Sequence, residues 1–274
     1  MVYLTGDTHG SFLRFTKNQR AQYPFDLTSQ DKVIVCGDFG LLWVKDATFT
    51  FDVNWLGSLP FQILWVQGNH ENYDLIAEYP IELWMGGKAR HIVRDKIILL
   101  ERGQVFEIEN KTFFTMGGAA SHDMEGGVLD RSSPSFQEER KRARKKRQVY
   151  RVLRETWWPE ELPSEEELQE GRRNLAQAGY QVDYVISHCG STRLQERLKT
   201  GVAEEIHRVD SYTSDRLTDY FDELEDKLQY CHWYCGHYHK ELRLDGNHTI
   251  LYEGIVPLEH KAGIQEAAGG RKRG

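Results

Sequence analysis

Five polar corners in the sequence carry side chains able to do chemistry: Gly6-Asp7-Thr8-His9-Gly10, Gly37-Asp38, Gly68-Asn69-His70-Glu71, His188 and Gly236-His237-Tyr238-His239. Asp7 and His9, one residue apart, can turn a carboxylate oxygen and an imidazole nitrogen to one side of a loop and share a cation. Taken alone, that pair also fits a turn in which Asp7 caps a helix and His9 is solvated, and Gly37-Asp38 fits an ordinary turn. Gly68-Asn69-His70-Glu71 sets three polar side chains in a row, which makes poor core and a good ligand corner. His237 and His239, at i and i+2 after a glycine, can chelate one metal or serve two adjacent ones. Together the corners offer oxygens and imidazoles, a set suited to Mn, Fe, Zn or Ni rather than to a thiolate zinc site.

Each corner ends a short apolar run, the pattern of a buried strand feeding a polar loop. The runs are residues 2–5, 32–36, 62–67, 182–187 and 232–235. Helix-compatible stretches lie at 11–21, 48–59, 73–79 and 213–230, the last with Thr213 or Ser214 as its cap. Strand and helix alternate, so the class is α/β. Hairpin-like material at 91–101, 104–109, 111–116, 240–244 and 249–254 implies a second sheet packed on the first.

The chain has 274 residues and 39% hydrophobic content, enough for the core of one large domain. No apolar run reaches the roughly 20 residues of a bilayer span, and no basic segment precedes an apolar stretch at the start, so neither membrane insertion nor secretion is expected. The four cysteines, Cys36, Cys189, Cys231 and Cys235, are too few for a disulfide scaffold and fit a reducing cytoplasm. With 35 basic and 42 acidic residues, net −7, the chain as a whole is not built to coat a polyanion, although a local patch could do so. Residues 138–154 hold nine basic and two acidic side chains, and 155–170 hold seven acidic and no basic ones. This pattern predicts two charge-segregated helices, interrupted at Trp157-Trp158-Pro159. They fall in a charged helical insertion at about 121–181 of a single domain spanning 1–268, with 269–274 as a flexible tail.

In order and in full, the corners match the pattern Asp-x-His, Gly-Asp, Gly-Asn-His-Asp/Glu, His, Gly-His-x-His, and the chain resembles the calcineurin-like metallophosphoesterase superfamily from Gly6 to His239. That resemblance implies a four-layer α-β-β-α sandwich with two mixed β-sheets. It also implies two divalent ions, manganese first among Mn, Fe, Zn, Ni and Mg: one held by Asp7, His9 and His239, the other by Asn69, His188 and His237, with Asp38 bridging. Two cations about 3.5 Å apart need such a shared anion. The implied reaction is hydrolysis of a phosphate ester, monoester or diester, by a metal-bridging hydroxide, with His70 as the catalytic histidine. Protein serine/threonine phosphatases of the superfamily continue the second motif as Gly-Asp-x-Val-Asp-Arg-Gly. Here it reads Gly37-Asp38-Phe39-Gly40-Leu41-Leu42-Trp43, without the arginine for phosphate or the aspartate for the histidine, so a protein phosphatase of that branch is not expected and phosphate-clamping side chains must come from elsewhere. The whole chain instead resembles uncharacterised bacterial and phage-type members, which supply no substrate; the implied reaction calls for a phosphorylated one, nucleotide or nucleic acid among the candidates.

Other features point less sharply. The basic run containing Arg140 fits a nucleic-acid surface, or a solvated helix face paired with the acidic stretch after it. His122 and Asp123 lie in a glycine-rich segment that can approach a substrate. Trp157 and Trp158 can stack on a base, but anchoring the insertion suits them better. Cys231, His232 and Cys235 read as strand residues with core thiols, Cys231 and Cys235 on one face. A non-catalytic scaffold on the same fold is the competing class, and the intact set of ligands and His70 weighs against it.

Overall fold

The computed structural model describes residues 1–201 and 211–259. The tail at 269–274 and the expected domain end at 268 lie outside the described residues. Two sheets face each other. The first has the strand order β15, β1, β2, β3, β6, β5, β4, built from β1 (Val2–Thr5), β2 (Lys32–Val35), β3 (Gln62–Trp65), β4 (Ile81–Trp84), β5 (Gly87–Val93), β6 (Ile97–Leu100) and β15 (Val256–Pro257). The second has the order β13, β14, β12, β11, β8, β7, from β7 (Gln104–Ile108), β8 (Lys111–Met116), β11 (Tyr184–Ser187), β12 (His232–Cys235), β13 (Leu242–Arg243) and β14 (His248–Ile250). β1, β2, β3 and β6 run parallel, and β4, β5 and β15 pair antiparallel, so the sheet is mixed. The second sheet is mixed as well.

Alternation along the strands sorts side chains into layers. Val2, Leu4, Ile34 and Leu64 meet Phe106, Phe113, Tyr184 and Tyr234 between the sheets. Tyr3, Val33, Val35, Ile63 and Trp65 turn outward onto Leu56 of α2 (Ala47–Ser58) and Ile76 of α3 (Tyr73–Ala77). On the opposite face Val185 and Trp233 meet Leu168, Leu175, Leu194 and Leu217 of α5 (Glu165–Gln177), α6 (Thr192–Gly201) and α7 (Arg216–Lys227). Three cores between four layers make an α-β-β-α sandwich. Among the described residues no helix is long and apolar enough to cross a membrane.

Local departures have physical causes. The stretch at 11–21 is not one helix: a 3-10 turn at Leu13–Phe15 and α1 (Lys17–Arg20) are separated by extended Thr16. The helix expected at 213–230 is α7, capped by Asp215 in a capping box with Thr218 rather than by Thr213 or Ser214. The hairpin material divides between the sheets, β5 and β6 joining the first. Residues 121–181 hold the two-stranded parallel pair β9 (Val128–Leu129) and β10 (Arg151–Val152), helix α4 (Phe136–Lys145), a 3-10 turn at Pro159–Glu161, and all of α5. Pro159 breaks the acidic stretch into that turn, and the Ser164–Glu167 capping box starts α5.

The expected pairing of the basic run at 140–147 with the acidic stretch does not form among the described residues. Acidic residues there reach other partners, Glu155 to Arg131, Glu160 to Arg154, Glu167 to Arg102 and Glu170 to Lys88, and no cation of 140–147 makes an ion pair among the described residues. Trp158 anchors the insertion, fully buried, with its indole N–H donating to Asp74 Oδ2 (2.8 Å) and its ring edge-on to Trp43.

Candidate functional site

Loops at the C-terminal ends of β1, β2, β3, β11 and β12 converge at one edge of the sandwich. The first two are tied together: Thr8 and His9 amides donate to Asp38 O, and Gly10 N donates to Phe39 O. Arg14 clamps the first from below, donating to Thr5 Oγ1 (2.6 Å), Gly6 O (3.1 Å), Asp7 O (2.6 Å) and Tyr252 O. Glu71 Oε1 accepts from Phe39 N at 2.9 Å and braces the second. Burial, with Asp38 adding, pushes the Glu71 carboxyl up to about 8.

Two groups of ligand atoms emerge. Asp7, His9 and His239 form one: His9 Nε2 and His239 Nε2 are 2.9 Å apart, and Asp7 Oδ2 lies 3.7 Å from the first and 3.2 Å from the second. Asp7 Oδ2 is nevertheless a buried oxygen without a hydrogen-bond partner. A buried carboxylate oxygen left unmatched among converging imidazoles fits a cation. Asp7, Asp38 and His188 form the other group. Asp38 Oδ2 is 3.4 Å from His188 Nε2 and 3.7 Å from His9 Nδ1, so Asp38 stands between the groups. His188 Nδ1 lies 2.7 Å from Cys36 O, which can only accept, so Nδ1 carries a proton and Nε2 faces Asp38 and, at 3.1 Å, Asn69 Oδ1. His237 donates its amide to Asp7 Oδ1 (2.9 Å), and its ring sits 4.9 Å from that of His188, outside both groups.

The electrostatics follow from burial and neighbouring carboxylates. Burial works against charge on His188, but Asp38 and Asp7 outweigh it and push the imidazole up to about 9. Burial likewise opposes charge on Asp38, and His188, His70 and His9 outweigh it, holding the carboxyl well below the usual range. Burial, His188 and His122 push His237 well below its ordinary value, leaving a neutral imidazole.

The backbone is strained where these side chains are aimed. His9, Asp38, His237 and His239 have φ of 46°, 47°, 71° and 49°, the left-handed region that costs non-glycine residues about 1–3 kcal/mol each. Glycines allow the close approach. A Cβ on Gly68 would lie 2.0 Å from Asp38 Oδ1, and one on Gly236 would lie 2.2 Å from Asp7 Oδ1.

His70 donates its amide to Asp38 Oδ1 (2.7 Å), and its ring is 5.4 Å from that of His9, edge-on. Burial lowers its pKa, with Asp38 and Asp123 opposing and Arg151 and His9 adding. Asp123 accepts from Arg151 Nη2, so the insertion brings an acid–arginine pair within electrostatic reach of His70. Arg151 has no sequence signal beyond its charge run, and Asp123 is its partner 28 positions away. His122 packs 4.3 Å from the ring of Tyr212 and 5.5 Å from that of His237. Arg140 is not among the clustered ligands; its Nε donates to Tyr150 Oη at 3.2 Å. Cys235 joins the outer core while Cys231, just before β12, packs toward the inter-sheet core, so the two do not share a face; His232 bonds Thr249 Oγ1.

A family model described as calcineurin-like phosphoesterase matches residues 1–241. No curated protein matches the chain. Among solved structures, a phosphopantetheinyl hydrolase from Mycobacterium tuberculosis is similar at 16% identity and a TM-score of 0.43, over 92% of this chain and 89% of that one.

Proposed function

The chain belongs to the calcineurin-like phosphoesterase family, and from that premise we propose that it hydrolyses a phosphate ester at a centre of two divalent metal ions. The carrying observation is Asp7 Oδ2, buried and unmatched between His9 and His239. Asp7, His9 and His239 would hold one ion and Asn69, His188 and His237 the other, with the carboxylate of Asp38 available to both. Manganese is the first candidate, and the mixture of carboxylate, amide and imidazole donors equally admits Fe, Zn, Ni or Mg. Two such ions supply Lewis acidity toward phosphoryl oxygens and lower the pKa of water.

The chain's own residues do the rest. The Cys36 carbonyl orients His188 and fixes which nitrogen is free. Asp38 Oδ1, held by the His70 amide, ties the catalytic histidine to the ligand shell. His70, with its pKa depressed by burial, is a neutral imidazole near pH 7 and offers a ring N–H to a substrate oxygen. Asp123 orients Arg151, which offers a guanidinium to the phosphate. Arg151 thereby stands in for the arginine absent after Gly37-Asp38.

Hydrolysis of bis-p-nitrophenyl phosphate and p-nitrophenyl phosphate, with metal content measured on the same samples, tests the reading. His70→Ala should lower turnover with two metals still bound, and full activity in that variant would remove His70 from the mechanism.

A further inference from the structure

Seven of the eight residues from Arg140 to Arg147 are cations in a chain of net charge −7. Lys141, Arg142, Arg144, Lys145, Lys146 and Arg147 are exposed, and none makes an ion pair among the described residues. Seven basic side chains left unneutralised on one short segment repel one another, and an external polyanion relieves that repulsion. The segment also has a fixed place beside the catalytic edge. Phe136 and Ala143 bury the inner face of α4. A Cβ on Gly126 would lie 3.1 Å from that of Ala143, and Gly126 N donates to Val149 O at 2.7 Å. Arg140 bonds Tyr150, the neighbour of Arg151, and Arg151 holds Asp123, both within electrostatic reach of His70. α4 thus belongs to the same insertion that approaches the phosphoester site.

We propose that α4 and the turn after it form a nucleic-acid-binding surface that feeds the metal centre, so that the substrate is a polynucleotide phosphodiester held by its backbone phosphates. This rests on the proposed phosphoesterase function and names its substrate class. An anionic membrane fits less well. The outward side of α4 is polar throughout, and the apolar residues of the helix, Phe136 and Ala143, are buried, leaving no apolar face to enter a bilayer.

The test is fluorescence anisotropy of a labelled single-stranded oligonucleotide with the full chain, in EDTA to stop turnover, across a salt series. If about four phosphates are engaged, affinity falls about fifty-fold between about 50 and 200 mM salt. Lys141→Ala/Arg142→Ala/Lys145→Ala leaves about one contact and should cut that dependence to about three-fold. Alanine suits the helix, and the single variant Lys145→Ala, with a salt slope smaller by about 0.7, gives a second reading. Absence of oligonucleotide binding, an unchanged salt slope in both variants, or binding to phosphatidylserine vesicles in place of the oligonucleotide would each overturn the proposal. Hydrolysis of bis-p-nitrophenyl phosphate by the metal-loaded wild type separates the two readings. Hydrolysis without oligonucleotide binding removes this surface and keeps the phosphoesterase; binding without hydrolysis keeps a nucleic-acid surface but overturns both its role in feeding a metal centre and the phosphoesterase reading.

Discussion

Stripping the metal should leave His188 protonated, and Asp38→Asn should release that proton. His188 is fully buried, its Nδ1 is committed to Cys36 O, and its Nε2 faces Asp38 Oδ2 at 3.4 Å. The carboxylates push its pKa from 6.5 up to about 9, a preference for the imidazolium of about 3 kcal/mol. Because the folded value lies above the unfolded one, that stabilisation is fully present below pH 6.5 and is lost as pH rises through about 9. Asparagine keeps an oxygen for the His70 amide while removing the charge, so the substitution isolates the electrostatic effect. In metal-free protein it should lower the His188 midpoint by about 2 units and reduce stability at pH 6 by about 3 kcal/mol, with a much smaller loss above pH 9. A second consequence concerns affinity. Below pH 9 an incoming ion must displace the proton, so metal affinity should rise about tenfold per pH unit between pH 7 and 9. Histidine-resolved NMR titration of chelated protein, with denaturant unfolding at the two pH values, makes the measurement. A wild-type His188 midpoint at or below 6.5, or an unchanged midpoint in Asp38→Asn, would refute the reasoning.

Arg151→Ala should lower kcat/KM for small phosphate esters about 10- to 100-fold with both metals retained, and Arg151→Lys should recover part of the loss, as steady-state kinetics with metal analysis will show. Glu161 is buried, and burial pushes its carboxyl up to about 8 despite the Ser121 contacts. Its neutral form therefore suits the fold fully below about pH 4.5, and stability is lost as pH rises through 8, so Glu161→Gln should raise Tm at pH 9 and change it little at pH 5. Gly68→Ala should displace Asp38, whose Oδ1 would lie 2.0 Å from the new Cβ, and calorimetry should find metal binding weakened by at least tenfold.

The strands that feed the five corners were legible because a buried strand reads as an unbroken apolar run and its polar end stands out. β1 and β12 carry the expected limits, and β2, β3 and β11 are shorter by one or two residues. The side chains at those corners are within contact of one another, although Asp7 is the residue common to both ligand groups, with Asp38 between them. Contacts distant in sequence were not legible. Arg14 sits in what reads as helix, but its guanidinium is spent on carbonyls of two separate loops, and that competition accompanies the break at Thr16. The Asp123–Arg151 pair joins the start of the insertion to its middle, where the local pattern shows only charge. Sheet membership was also hidden: β5 and β6 look like β7 and β8 locally, and only pairing of β6 with β3 sends them to the first sheet. The charge segregation suggested mutual neutralisation, whereas the acidic residues found arginines and lysines elsewhere and left the basic helix bare.

Stepwise addition of Mn²⁺ to metal-stripped protein, with hydrolysis of bis-p-nitrophenyl phosphate followed at each step, tests the two-metal centre most directly. Activity should saturate at two ions per chain, disappear in EDTA and return with metal. Saturation at one ion, or hydrolysis indifferent to chelation, would contradict it.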